Sequence, residues 1–330
     1  MHNLIFVPTL TAMLHELGIP SVDLADFLSG DPSRKQNFVQ QLGKAYEDIG
    51  FVALKNHNFS EELRKELYSE VKNFFDLPED VKRKYEVEGL AGQRGYTSFG
   101  KEHAKGSPAP DLKEFWHFGQ EVEDNDPIKS EYPDNIWCDE TPNFNKVGIQ
   151  AYKMLESTGK EMLRALALYL GLDEFYFDAK IKNGNSILRP IHYGAITSEP
   201  KGSVRAGEHE DINLITLLMG ASAEGLQVLN RKGEWVAVTA LPEHIIVNVG
   251  DMLQRLTNGK LKSTTHRVVN PPREQWHTPR YSIPFFLHPR SEMRLDALPE
   301  CIDDNHPKQW DDITAGEYLN ERLREIGLKA

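Results

Sequence analysis

From residue 186 to residue 287 the sequence consists of short β-branched and aromatic runs, broken at near-regular spacing by glycine and asparagine. Residues 187–193, 212–219, 226–229, 235–238, 245–249, 252–256, 264–269 and 281–287 read as strands. Gly225, residues 230–233 and Asn258-Gly259 supply turns between several of them. Strands this short and this numerous predict two packed sheets, a double-stranded β-helix or jelly roll.

The sequence upstream has a different texture. Phe38, Leu42, Ala45, Tyr46 and Ile49 recur at helical spacing and predict an amphipathic helix over 33–48, ended by Gly50. Ser60 is placed to cap a second helix with Leu63, Leu67, Val71 and Phe74 on one face. Ala151, Leu155, Met162, Leu166 and Leu170 mark a long helix over 147–170. Residues 19–24, 51–54 and 111–119 read as strands, and the glycine-rich, polar stretch 89–110 as a loop. At the far end Thr314 and Glu317 form a capping-box pattern ahead of a helix carrying Leu319, Leu323 and Ile326. The expected fold class is mixed α/β with a mainly β core, a jelly roll wrapped by N-terminal and C-terminal helices. Residues 1–180 form the N-terminal helical and mixed region, 181–292 the barrel and 293–330 a C-terminal helical extension, all expected to act as one structural unit.

A chain of 330 residues with 39% hydrophobic content can bury a sizeable core without disulfides. Its two cysteines, Cys138 and Cys301, lie far apart and outside any Cys-x-x-Cys pattern, which suits a reducing cytoplasm. The net charge of −12 disfavours nucleic acid and anionic membranes as partners. Lys82-Arg83-Lys84, the densest basic run, is expected on a solvated helix face. The apolar stretch 4–14 has no preceding Lys or Arg and contains Pro8, so it does not read as a signal peptide. No run approaches the roughly 20 apolar residues that span a bilayer.

Against this background His209-Glu210-Asp211 stands out. On a strand, residues two apart point the same way, so His209 and Asp211 would enter one space and Glu210 would turn aside. His266 brings a second imidazole on a later strand, and Arg280-Tyr281-Ser282 follows on another. Two imidazoles and one carboxylate are the facial set that holds Fe(II) and leaves its other positions open. No glycine-rich dinucleotide or phosphate-binding motif competes with this set.

His209-x-Asp211, His266 and Arg280-x-Ser282 together resemble the isopenicillin N synthase-like family of non-haem iron oxygenases, most of which depend on 2-oxoglutarate. Ile19-Pro20-Ser21-Val22-Asp23-Leu24, Ala45-Tyr46-Glu47-Asp48-Ile49-Gly50-Phe51 and Asn56-His57 resemble its N-terminal region. Gly225-Leu226-Gln227-Val228, Val247-Asn248-Val249-Gly250-Asp251 and Thr257-Asn258-Gly259 resemble its barrel signatures. The resemblance covers most of the chain. It implies Fe(II) on His209, Asp211 and His266, with 2-oxoglutarate and O2 as co-substrates and ascorbate as a stimulant. It also implies Arg280, Ser282 and Tyr193 around the distal carboxylate of 2-oxoglutarate, where a guanidinium fork matches a carboxylate. The products would be succinate, CO2 and a hydroxylated, desaturated or cyclised small molecule. Arg94 and Tyr96 occupy a loop that faces substrate in relatives. If Arg94 does so here, the substrate carries an acidic group such as an amino-acid carboxylate. His192, His57, His244 and His288 are expected to be structural or exposed, and Asn248 and Asp251 to hold a turn. Two alternatives stay open: an Fe(II) oxidase that uses no 2-oxo acid, and a jelly-roll sensor that binds metal or ligand without turnover.

Overall fold

A computed structural model of the chain describes residues 19–90, 92–102, 110–200, 202–220, 224–238, 243–326 and 328. The apolar stretch 4–14 lies outside the described residues. Four long helices form where the periodicity places them. Helix α1 (Pro32–Asp48) starts on Asp31, whose side chain accepts from the backbone N–H of Ser33 and Arg34. It stops before Gly50, which holds φ +74° and leaves no room for a side chain: a Cβ there would lie 2.1 Å from the Lys262 carbonyl oxygen. Helix α2 (Glu61–Phe75) is capped by Ser60, whose Oγ accepts from Leu63 N–H at 3.1 Å. Helix α3 (Pro142–Tyr169) begins five residues before 147 because Pro142 is pre-set for the first helical turn. Helix α4 (Ala315–Glu325) carries the complete Thr314–Glu317 capping box.

Among the described residues thirteen strands follow in chain order: β1 (Ser21–Asp23), β2 (Phe51–Lys55), β3 (Gly95–Thr97), β4 (Glu114–Gly119), β5 (Ile187–Leu188), β6 (Ile191–Tyr193), β7 (Ala206–His209), β8 (Ile215–Met219), β9 (Leu226–Leu229), β10 (Trp235–Ala237), β11 (Ile245–Val249), β12 (His266–Val268) and β13 (Arg280–Leu287). The larger sheet has nine strands in the order β1-β2-β11-β8-β13-β5-β4-β3, with β6 pairing both β13 and β4. The smaller sheet is β10-β9-β12-β7. Strands β1 to β4 all precede residue 180, so the N-terminal region contributes directly to the larger sheet.

Side-chain alternation divides the larger sheet into two faces. On β13, Ile283, Phe285 and Leu287 enter the main apolar core with α2 and α3, while Arg280, Ser282, Pro284 and Phe286 line an internal cavity. Phe74 of α2 stacks on Phe144 of α3 at 4.8 Å, with Trp116 of β4 edge-on to both. Gly159 lets α3 approach closely, since a Cβ there would meet Leu287 at 2.4 Å.

Several sequence expectations change. Residues 252–256 are helical (Asp251–Leu256): Met252, Leu253 and Leu256 are buried at helical spacing, in a run too short for periodicity to decide its type. The 187–193 strand breaks at Arg189-Pro190, where proline has no N–H for the ladder. The 89–110 stretch contains β3. In the basic run Lys82 is buried against Glu114 at 2.7 Å, and Arg83 and Lys84 alone are solvated.

On α3, burial lifts the Glu156 carboxyl to about 7, against the opposing pull of Lys160 and Lys153. A folded-state pKa above the unfolded value means that stability is full below about 4.5 and is lost as pH rises towards 7. Glu156→Gln should therefore raise Tm at pH 8 by about 2 °C and change little near pH 4.5, checked by calorimetry at both pH values.

Candidate metal centre and co-substrate cavity

Strands β7 and β12 are neighbours, and their register sets His209 directly opposite His266, with ring centroids 4.4 Å apart. Each ring is fixed through Nδ1. His209 Nδ1 donates to the Gly207 carbonyl oxygen at 2.7 Å, and His266 Nδ1 to the Thr264 carbonyl oxygen at 3.0 Å. A carbonyl oxygen only accepts, so each Nδ1 carries a proton, and it is Nε2 that is left to face a metal.

Asp211 completes the group. Its Oδ2 accepts from Thr216 Oγ1 and from Asn248 Nδ2, both at 2.7 Å, while Oδ1 lies 3.7 Å from His266 Nε2. One ligand atom from each of His209, Asp211 and His266 lies within 4.8 Å of the others. Burial, then the neighbouring His266, lowers the His209 pKa to about 4, so its imidazole is neutral near pH 7. Burial would raise the Asp211 carboxyl, but the His266 and His209 rings and the two hydrogen bonds hold it below its ordinary value. Two imidazoles and one carboxylate, with their other polar atoms already engaged, suit Fe(II). The expected convergence of His209 and Asp211 is present, but β7 ends at His209, so Asp211 lies just beyond the strand, in the irregular stretch that leads to β8.

The co-substrate candidates come from the other sheet. Arg280 and Ser282 are buried on β13, and Tyr193 of β6 is paired opposite Arg280, whose guanidinium sits 5.0 Å from the tyrosine ring centre. All three line the cavity that holds the three metal candidates. Nearby, Arg205 is buried and donates to the Thr278 carbonyl oxygen at 2.8 Å; burial and Arg280 lower its pKa to about 10.

Arg94 and Tyr96 are not brought to the site. Both are buried, 1% and 2% exposed, and neither lines the cavity. The β3–β4 pairing turns them towards the helices. Arg94 packs where a Gly119 side chain would be and donates to the Gln93 carbonyl oxygen, while the Tyr96 hydroxyl donates to Glu114. His192 bonds Glu114 on that same outer face. His288 is buried in the cavity wall, with burial lowering its pKa to about 4.

Thr216 and Asn248 were missed as supports of Asp211. They are register partners on β8 and β11, polar positions inside otherwise apolar strands, and that interruption was the available signal. Thr216→Val or Asn248→Ala should weaken Fe(II) affinity by about ten- to a hundredfold, checked by anaerobic Fe(II) titration.

Residues 19–140 match the family described as non-haem dioxygenase in morphine synthesis N-terminal, and residues 185–289 match the 2OG-Fe(II) oxygenase superfamily. The chain belongs to the 2OG-Fe(II) oxygenase superfamily, and it is an Fe(II)- and 2-oxoglutarate-dependent dioxygenase of the isopenicillin N synthase-like type. A proline hydroxylase from Petromyces alliaceus is 34% identical over 321 residues, covering 92% of this chain and 98% of its own. The crystal structure of a 2OG-Fe(II) oxygenase family protein from Caulobacter crescentus is 40% identical, covers 93% of this chain and 99% of its own, and superposes with a TM-score of 0.84. A full-length Neurospora crassa protein crystallised with alpha-KG and thymine is 33% identical, with coverage of 93% and 96% and a TM-score of 0.82. No helix among the described residues is long and apolar enough to cross a membrane.

Proposed function

We propose that His209, Asp211 and His266 hold the Fe(II), and that Arg280, Ser282 and Tyr193 hold the distal carboxylate of 2-oxoglutarate. The observation that carries this reading is the pairing of Arg280 with Tyr193 in the cavity that contains the His-Asp-His cluster. The bound metal supplies oxygen activation coupled to decarboxylation of the 2-oxo acid. The protein's own residues do the rest. Arg280 neutralises and orients a carboxylate through its planar fork, Ser282 adds a hydroxyl on the same strand face, and Tyr193 closes the opposite side. Thr216 and Asn248 aim Asp211, and the apolar lining from Ile191, Leu226 and Val268 limits water near the reacting atoms.

The substrate is a small molecule that is hydroxylated, desaturated or cyclised, with succinate and CO2 released. The net charge of −12 and two free cysteines support action in the cytoplasm, away from nucleic acid and membrane surfaces. The three regions bounded near 180 and 292 work as one unit around the cavity. The expectation of an acidic substrate rested on Arg94, which does not line the cavity.

The test supplies Fe(II), 2-oxoglutarate and ascorbate under air with a panel of amino acids and nitrogen heterocycles. Succinate should form slowly without substrate and faster with the right one. Oxygen uptake without succinate would instead mark an oxidase, and an Fe(II)-loaded protein that consumes no oxygen with any 2-oxo acid would mark a binding module.

A further inference from the structure

The cavity has a polar wall that the metal and co-substrate assignments leave unused. Lys113 Nζ pairs with Glu102 Oε1 at 2.5 Å and with Asp111 Oδ2 at 2.8 Å. Arg189 donates from Nη1 to Glu102 Oε1 at 3.3 Å and from Nε to His117 Nε2 at 2.5 Å. All five residues line the cavity, and four of them are more than nine-tenths buried. Burying this many charges costs several kcal/mol per ion before pairing offsets it, so stability is a poor reason for keeping them.

Two features of the wall indicate what it would accept. First, its charges balance. Lys113 and Arg189 face Glu102 and Asp111, while burial and then Arg189 keep His117 uncharged. A carboxylate entering here would stand beside Glu102 with no cation left over. Second, two hydrogen-bonding positions remain open. Glu102 Oε2 is buried without a hydrogen-bond partner among the described residues, so a ligand donor would satisfy it. Arg189 Nη2 makes no hydrogen bond among the described residues, while its guanidinium is held 4.4 Å from the Phe115 ring and 5.1 Å from the Phe286 ring. The wall therefore offers one acceptor on Glu102 and one donor on Arg189, residues already in contact through Oε1 and Nη1 at 3.3 Å, next to an aromatic ring.

The wall is also at the right end of the cavity. Phe286 is paired with Thr216, which donates to Asp211. Asp111 Oδ1 accepts from the backbone N–H of Gly207 at 3.0 Å, two residues before His209, so the wall borders the metal candidates directly.

We infer that Glu102, Arg189 and Phe286 form the substrate-recognition site, and that the substrate is an uncharged, planar nitrogen heterocycle presenting an N–H beside a carbonyl, as in a lactam or cyclic imide. The heterocycle N–H donates to Glu102 Oε2, its carbonyl accepts from Arg189 Nη2, and its ring lies against Phe286. Lys113, Asp111 and His117 are positioning residues that hold Glu102 and Arg189. This inference rests on the proposed function and names the substrate class for that same site.

The full chain, loaded anaerobically with Fe(II) and 2-oxoglutarate, is titrated calorimetrically with thymine, 1,3-dimethylthymine and L-proline. Thymine should bind with Kd below about 1 mM, and in air it should accelerate succinate formation. The dimethyl compound, which lacks both N–H groups, and L-proline should do neither. Glu102→Gln should weaken thymine binding at least tenfold with 2-oxoglutarate affinity unchanged. The inference is overturned if the dimethyl compound binds as tightly as thymine, if L-proline binds and thymine does not, or if Glu102→Gln leaves thymine affinity intact. Should the substitution disturb folding and lose 2-oxoglutarate as well, the two thymine compounds on the parent chain decide the matter. A parent chain that fails to bind 2-oxoglutarate at all sinks the proposed function instead, a distinct outcome in the same titration.

Discussion

Asp211→Ala should lower Fe(II) affinity by at least about a hundredfold and reduce succinate formation to background. Changes to residues that merely support a metal ligand already cost ten- to a hundredfold, and here the ligand itself is removed. The buried carboxylate is the negative member of the cluster, and without it two imidazoles confront a divalent cation in a poorly solvated space. The substitution also removes the acceptor that Thr216 Oγ1 and Asn248 Nδ2 share, leaving them the longer bonds to Asn213 Oδ1 at 3.2 Å and the Val249 carbonyl oxygen at 3.4 Å. Circular dichroism and Tm therefore accompany the Fe(II) titration. A variant that stays folded yet binds Fe(II) like its parent would remove Asp211 from the metal centre.

Arg280→Ala should raise the Kd for 2-oxoglutarate by more than a hundredfold while leaving Fe(II) affinity nearly unchanged. Truncating one partner of a buried, charge-assisted pair costs about 3 kcal/mol, equivalent to a factor of roughly 150 in binding. Arg280→Lys should recover only part of the loss, because an ammonium point charge cannot reproduce two parallel hydrogen bonds. Calorimetry with Fe(II) present separates the two affinities. Unchanged 2-oxoglutarate binding in Arg280→Ala would place the co-substrate elsewhere.

Legibility in the sequence followed the range of the interactions. The capped helices were readable because their signals are local: Ser60 and Leu63, or Thr314 and Glu317, lie within one turn of each other. Arg280 and Ser282 were readable as one face of a strand, since alternation is also local. The same logic found the pair His209 and Asp211, although β7 stops at His209 and Asp211 lies just beyond it. Interactions set by pairing between distant segments were not readable. The Asn248–Thr216 register joins two strands whose alignment no short window encodes. Arg94 was expected to face substrate from a glycine-rich, polar loop, yet the pairing of Gly95 with His117 buries its neighbourhood. The wall of Glu102, Lys113, His117 and Arg189 assembles from separate segments, and none of its members forms a motif alone.

The division of labour between the two sheets has a practical consequence. Both histidines belong to the four-stranded sheet, whereas Thr216, Asn248, Arg280, Ser282 and Tyr193 belong to the nine-stranded one. A one-residue slip of β12 against β7 would turn His266 outward and leave Arg280 where it is. The cluster of His209, Asp211 and His266 therefore depends on how both sheets are placed, since Thr216 and Asn248 hold Asp211 from the larger one.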